Sequence, residues 1–424
     1  MFYGYSAYNE QNLIFRFIFV CLFSGVVDLA IYFIYRQVLK SRLSLKNYRL
    51  MHISHWSALA LFVSGGTLMY IFTGYPCDNH DKLFIYTVFF TLFFVWYIPK
   101  FIFTILYLIW WIFTITIRLI SGKINAHNFN RANYLFFIAD VILVVILATL
   151  FMYGALFGRS HYIIKKETIS FKELPASFDG YTIVQISDIH LGNIRSDKPI
   201  GKMVSMINEL SPDMIVFTGD MVNLTAKETE PFIPEFQKLY PQAAKYSILG
   251  NHDFGDYALC YDQDQRQQTI DSLIAIEKRM GFKVMLNSHE VIKRGTDSII
   301  LAGVKNWSKK PYHQYGNIKE ALKNLPDSGF VILLSHDPEH WDEEVAGRTN
   351  IPLTLSGHTH GGQLGFEFGS CKWSVYSLKE DLWAGLFVRH NQYLYINQGL
   401  GAIGLLARIG IWPEITLITL KKSK

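Results

Sequence analysis

Four long apolar runs, at about 13–35, 53–73, 83–117 and 134–157, dominate the first part of the chain. Each reaches the roughly 20 residues an α-helix needs to cross a bilayer. A cleaved signal peptide does not fit the first run, because its first 15 residues carry no Lys or Arg and the run is too long for such a leader. The third run has Pro99-Lys100 in its middle and reads as one long kinked helix or as two short spans. Beyond residue 158 the pattern changes to short β-rich runs alternating with amphipathic stretches. Strand-like segments fall at 182–187, 214–218, 246–249, 299–302, 331–335 and 352–356, with helical periodicity near 199–209, 265–280 and 317–324. The pattern predicts an α-helical transmembrane bundle over 1–158 and an α/β domain over 159–424.

Charge sharpens this division. Residues 1–158 hold 11 Lys+Arg and 5 Asp+Glu, whereas 159–424 hold 29 and 30. A near-neutral second part offers no footprint for nucleic acid, whose binding requires a run of phosphates to be neutralised. Cytoplasmic loops collect Lys and Arg. Arg36, Lys40, Arg42, Lys46 and Arg49 place the first loop in the cytoplasm, and Arg118, Lys123 and Arg131 place the third there. The second loop, 74–81, has two aspartates and no basic residue. Four spans then predict a multi-pass inner-membrane protein with 159–424 on the outer, periplasmic side; a fifth span would reverse the side. Asp28 and Asp140 fall within spans, where an ionisable group needs a polar partner inside the bundle. The four cysteines, 21, 77, 260 and 371, show no CxxC pairing, which indicates neither a zinc ribbon nor a disulfide framework.

Nearly every predicted strand ends in a polar cluster: Ser187-Asp188-Ile189-His190, Thr218-Gly219-Asp220, Gly250-Asn251-His252-Asp253, Ser335-His336-Asp337 and Ser356-Gly357-His358-Thr359-His360. Ligands bind at the carboxyl ends of strands in such sheets, so five clusters on one edge converge on one site. Imidazole beside carboxylate suits a transition metal. His161, His289, His313 and His390 lie outside the clusters and read as ordinary hydrogen-bonded residues.

In this order the clusters resemble the calcineurin-like metallophosphoesterases over about 181–420, and the ending from Asn397-Gln398-Gly399-Leu400-Gly401 through Arg408 to Pro413-Glu414-Ile415 looks like their membrane-anchored bacterial members. The resemblance implies two packed β-sheets flanked by helices and two divalent ions, manganese, iron or zinc. It implies Asp188, His190 and His360 on one ion, Asn251, His336 and His358 on the other, and Asp220 bridging. Many relatives carry Asp at the position of Asn223, which is not a ligand in the family. Two such ions lower the pKa of a shared water and clamp the phosphoryl oxygens. The expected function is therefore a membrane-anchored phosphohydrolase in which a dinuclear-metal-bound hydroxide attacks a phosphoester.

His252, diverging from Asn251, is expected to protonate the leaving oxygen, with Asp253 either orienting its ring or stabilising a turn. The alternative is a non-catalytic scaffold of the same fold that binds proteins at the membrane. A transporter would show spans broken by Gly or Pro in paired halves; only Pro99 interrupts one. The glycine-rich stretch 399–412 carries two readings. As an apolar lip, Leu405, Leu406 and Trp412 meet a lipid bilayer or acyl chains and Arg408 pairs with phosphate, which makes the substrate a phospholipid or lipid-linked phosphate. As a core-packed loop it says nothing of substrate.

Overall fold

The computed structural model describes residues 3–73, 79–121, 126–258, 260–309, 313–325, 329–369 and 371–423. The chain divides into two compact units, Met1–Pro76 with Ile85–Tyr153, and Cys77–Phe84 with Gly154–Lys424. Four helices account for the first: α1 (Tyr3–Leu39), α2 (Leu45–Thr73), α3 (His80–Ser121) and α4 (Ala126–Leu156). Among the described residues, these four are long and apolar enough to cross a membrane. The third apolar run is one continuous helix of 42 residues with Pro99 inside it. Residues 74–78 and 122–125 of the second and third loops lie outside the described residues.

The two intramembrane acids differ. Asp28 is buried and accepts hydrogen bonds from Tyr97 Oη (2.8 Å) and Lys100 Nζ (2.7 Å), both on α3. That matches the expectation of a polar partner. Asp140 does not: it is buried, and neither carboxylate oxygen has a hydrogen-bond partner among the described residues. Its neighbours one turn away on α4 are Phe136, Phe137, Leu143 and Val144, the positions that lie beside it on a helix surface, and none can donate.

The second unit is two six-stranded sheets packed face to face. In the first the order is β1 (Ile163–Phe171), β14 (Glu414–Lys422), β2 (Thr182–Ile186), β3 (Met214–Phe217), β4 (Ala244–Ser247), β5 (Phe282–Val284). In the second it is β12 (Gly385–Arg389), β13 (Gln392–Ile396), β9 (Leu353–Ser356), β8 (Val331–Leu334), β7 (Asp297–Gly303), β6 (Ser288–Arg294). A separate ribbon pairs β10 (Gly365–Phe368) with β11 (Cys371–Ser374). Helices α5 (Lys198–Glu209), α6 (Ile233–Gln237), α7 (Gln263–Arg279) and α8 (Ile318–Ala321) complete it. Side chains alternate along a strand: Ile183, Met214 and Val216 face a core shared with Leu301, Ile332, Leu334 and Leu355 of the other sheet. Val184, Ile215 and Phe217 face outward beneath α5 and α7, against Met203, Ile207, Leu273 and Ile276. Burial on both faces is why these strands read as unbroken apolar runs.

The α7 helix starts where Asp262 accepts from Gln265 N–H (2.8 Å) and Gln265 Oε1 accepts from Asp262 N–H (3.0 Å), a reciprocal cap that satisfies two otherwise unpaired donors. The predicted helix near 317–324 shrinks to four residues. Strands β1, β5, β6 and β10 to β14 escaped prediction. Lys165, Lys166 and Glu167 interrupt the apolar pattern of β1, which has one neighbour, β14, and lies at the sheet edge.

Candidate metal centre

Strands β2, β3 and β4 are parallel neighbours in one sheet, and β8 and β9 in the other. Their carboxyl ends therefore open on a common edge, and all seven candidate donors meet there. His190 Nε2 lies 3.1 Å from His360 Nε2 and 3.7 Å from Asp220 Oδ2, and His360 Nε2 lies 3.4 Å from Asp188 Oδ1. On the other flank His336 Nε2 lies 3.2 Å from Asp220 Oδ2 and 3.1 Å from Asn251 Oδ1, which is 2.9 Å from His358 Nδ1. The donors fall into two sets that share one carboxylate oxygen, Asp220 Oδ2.

These separations test whether a metal fits. Donors about 2.1 Å from a common ion stand roughly 3.0–3.4 Å apart for octahedral or tetrahedral angles, close to the values found. Imidazole nitrogens 3.1 Å apart also need a cation or a proton between them. Two of the donor rings are already fixed for the task by their other nitrogen, His190 Nδ1–H donating to Asn223 Oδ1 (3.0 Å) and His336 Nδ1–H to Thr218 O (2.7 Å), and the neighbouring His252 Nδ1–H donates likewise to Asn223 O (2.9 Å). Such bonds leave the Nε2 lone pair free and hold the ring in place.

The electrostatics agree. Burial opposes ionisation of Asp220, but His336 and His252 outweigh it and hold the carboxyl well below its ordinary range. Burial would lower His336, yet the charges of Asp220 and Asp188 push it up to about 10. Burial, reinforced by His252, takes His190 down to about 3. Burial pushes the Asp188 carboxyl up, so a cation between the two acids would be needed to keep both ionised.

The backbone is strained at this point. Asp188, His190, Asp220, His358 and His360 all have φ between 50° and 72°, a left-handed region that side chains rarely adopt and that clusters at functional sites. Two glycines admit the donors: a Cβ at Gly250 would lie 2.3 Å from Asp220 Oδ1, and one at Gly357 2.3 Å from Asp188 Oδ2. Asp188, His190, Asp220, His336 and His360 are buried, while Asn251, His252 and His358 are half-buried. The latter three are the ones solvent reaches.

One expected role is corrected, and of the two readings of Asp253 the turn-stabilising one holds. Asp253 does not touch the His252 ring. Its buried carboxylate accepts the backbone N–H groups of Asp220 (2.7 Å), Met221 (2.8 Å), Val222 (3.2 Å) and Gly250 (2.9 Å), so it braces the two loops that carry Asp220 and Asn251. Burial, with the charge of Asp220 adding to it, pushes this carboxyl up to about 7 against those donors. Arg408 is fully buried and cannot meet a phosphate. Its Nε donates to Gly401 O (2.7 Å) and its guanidinium to Gln398 O (2.8 Å), with Nη2 3.4 Å from His360 Nδ1. It props the 398–401 loop and the back of His360. Leu406 is buried too, so the stretch 399–412 is largely core.

Other residues at the site were not foreseen. Tyr257 stacks on the His252 ring with centroids 4.0 Å apart, and its hydroxyl accepts from Asn251 Nδ2 (2.9 Å). Glu228 accepts from the N–H groups of Asn223, Leu224 and Thr225. A capping box, Thr225 to Glu228, was the signal that could have found it. Cys260 is disulfide-bonded, whereas Cys21 and Cys371 are free; Cys77 lies outside the described residues. Cysteine spacing had indicated no such bond.

Two packed mixed sheets with a carboxylate shared between two histidine-rich donor sets define a metal-dependent phosphoesterase architecture. Comparison with known proteins is specific. The calcineurin-like phosphoesterase pattern matches residues 181–362. The chain is 33% identical over 266 residues to a metallophosphoesterase of Bacillus subtilis, YkuE, covering 61% of this chain and 85% of that one. It is 30% identical over 290 residues to the zebrafish (Danio rerio) transmembrane protein with metallophosphoesterase domain, covering 67% of this chain and 63% of that longer protein. It is 26% identical over 289 residues to the UDP-2,3-diacylglucosamine pyrophosphatase LpxG of Chlamydia trachomatis, covering 57% and 84%. The chain belongs to the calcineurin-like metallophosphoesterases, hydrolases of phosphoester bonds, and its four apolar helices and transmembrane relatives associate it with a membrane.

Proposed function

We propose that the chain is a membrane-anchored phosphohydrolase that holds two divalent ions, one on Asp188, His190 and His360, the other on Asn251, His336 and His358, with Asp220 on both. The observation that carries this reading is the position of Asp220 Oδ2 within 3.7 Å of His190 Nε2 and 3.2 Å of His336 Nε2. When bound, the pair supplies an activated water and a clamp for phosphoryl oxygens. Nitrogen, amide and carboxylate donors suit manganese, iron and zinc. His252, with Nδ1–H committed to Asn223 O, keeps Nε2 to carry a proton to the leaving oxygen. A scaffold freed from catalysis has no use for seven converging donors held in strained backbone.

The substrate we favour is a lipid-linked phosphoester. What supports it is the membrane tether together with similarity to an enzyme named for a diacylated sugar nucleotide. The side we favour is the outer, periplasmic one: disulfides persist in oxidising compartments, and Cys260 is in one.

The decisive test is Asp220→Ala in the purified full chain. Both donor sets lose a ligand, so metal content should fall and hydrolysis vanish across phosphomonoesters, diesters and lipid phosphates. Full metal and full turnover would refute the shared-carboxylate assignment. For the side, a single cysteine at an exposed position of 159–424 should react with a membrane-impermeant thiol reagent in intact cells; labelling only after lysis would place the domain in the cytoplasm.

A further inference from the structure

The ribbon of β10 and β11 wears its apolar residues on the outside. Phe366 lies opposite Trp373, Phe368 opposite Cys371 and Glu367 opposite Lys372. Alternation along each strand puts 366, 368, 371 and 373 on one face and 367 and 372 on the other. The polar pair faces the domain: Lys165 Nζ donates to Glu367 (2.9 and 3.0 Å), Gln398 Nε2 donates to Glu367 Oε1 (2.6 Å) and Lys372 Nζ to Ala384 O (2.5 Å). The opposite face is open, with Phe366 47%, Phe368 86% and Trp373 40% exposed, and Leu378 just beyond at 78%. The Phe366 and Trp373 rings stack with centroids 6.1 Å apart. A solvated antiparallel ribbon shows the reverse arrangement, polar out and apolar in, and a contiguous apolar patch of this kind marks an interaction surface.

Its place in the unit names the partner. Gly365 N–H donates to Ile409 O (2.9 Å), and Leu364 bridges to Ile409 and Gly410. The same segment lies against the end of the fourth apolar helix: Arg408 N–H donates to Gly154 O (3.2 Å), and a Cβ at Gly154 would lie 2.5 Å from Ile409 Cγ1. Gly154 and Gly158 belong to the apolar stretch Phe129–Ser160. One short segment therefore ties the ribbon to the point where a spanning helix ends, which is the depth at which aromatic side chains collect in membrane proteins. We propose that the Phe366, Phe368 and Trp373 face of this ribbon inserts into the lipid headgroup region of the membrane the chain itself spans. It thereby fixes the catalytic unit against the bilayer at a second point, a few residues after the donors His358 and His360. The inference requires that α4 spans a bilayer, not that the substrate is a lipid.

The test is depth, not turnover. In the full chain carrying Cys21→Ser and Cys371→Ser, reconstituted in phosphatidylcholine–phosphatidylglycerol nanodiscs, a nitroxide is placed at Phe368→Cys and, separately, at Tyr240→Cys, which is 71% exposed. The label at 368 should be more accessible to dissolved oxygen than to a water-soluble nickel complex, and the label at 240 the reverse. Equal, water-like accessibility at both overturns the proposal. Broadening of the 368 signal that grows with two copies per disc would assign the face to a second copy of the chain and overturn it as well. A soluble substrate preference would refute the lipid-substrate reading and leave these accessibilities unchanged.

Discussion

An Asp253→Asn substitution changes no volume and removes one charge, and the structure says what it should cost. Oδ2 of Asp253 receives N–H groups from Asp220 and Gly250, and Oδ1 receives those of Met221 and Val222. An asparagine keeps one oxygen and turns an NH₂ toward the other pair, leaving two buried N–H groups facing donors. At about 1–3 kcal/mol for each buried group left unpaired, the loss is roughly 2–6 kcal/mol. A domain of this size loses about 2–4 °C of Tm per kcal/mol, so the catalytic unit should melt at least about 4 °C lower. Because either pair includes an N–H of the 220–222 turn that carries Asp220, bound metal should fall together with Tm. Thermal melting and metal analysis of the purified full chain measure both. If Asp253 instead served to orient the His252 ring, the variant would keep its metal and its Tm and lose activity only on esters with poor leaving groups; that outcome would refute the bracing argument.

Two further outcomes follow from the same geometry. His252→Ala should depress hydrolysis of alkyl phosphoesters more than that of a nitrophenyl ester, by up to ~10²–10⁴-fold if proton donation is its whole contribution; equal losses on both would leave His252 a structural role. Glu277 on α7 is buried, and burial, followed by the charge of Asp253, raises its carboxyl well above the ordinary range. A raised acid contributes stability that is complete below its unfolded pKa and lost as pH rises through its folded pKa. The isosteric Glu277→Gln should therefore flatten the decline of Tm as pH rises above the ordinary glutamate range, and an unchanged slope would refute the assignment.

How far the fold was legible depended on what each element touches. The four long helices are written in extended apolar runs of the kind a bilayer would require, and the six predicted strands are largely buried on both faces. Strands β1 and β10 were not legible. β1 carries Lys165, Lys166 and Glu167, and β10 alternates Gly365, Phe366, Glu367 and Phe368, so both break the apolar run that marked the central strands. The long α3 could not be told from two spans by composition, since Pro99 is compatible with either.

The donors were legible for a chemical reason: few side chains bind a divalent ion, and placing them at strand ends restricts them further. Their supports obey no such restriction. Asp253 and Arg408 both work through main-chain atoms, and any loop offers N–H and C=O groups whatever its sequence, so residue type alone suggested the more familiar partners, an imidazole and a phosphate. Asn223 shows the same limit. As a departure from the family pattern it looked inconsequential, yet its amide oxygen holds His190 and its carbonyl holds His252, so one residue orients a donor and the proposed acid together. The strain was least legible of all. Five of the seven donors occupy left-handed backbone without being glycine, against every local preference. Such conformations persist only where the surroundings over-determine them, and here the surroundings are the two buried acids Asp253 and Glu228 clamping the backbone of 220–225 from beneath. Acids outside both donor sets thus hold the loop whose Asp220 stands in both.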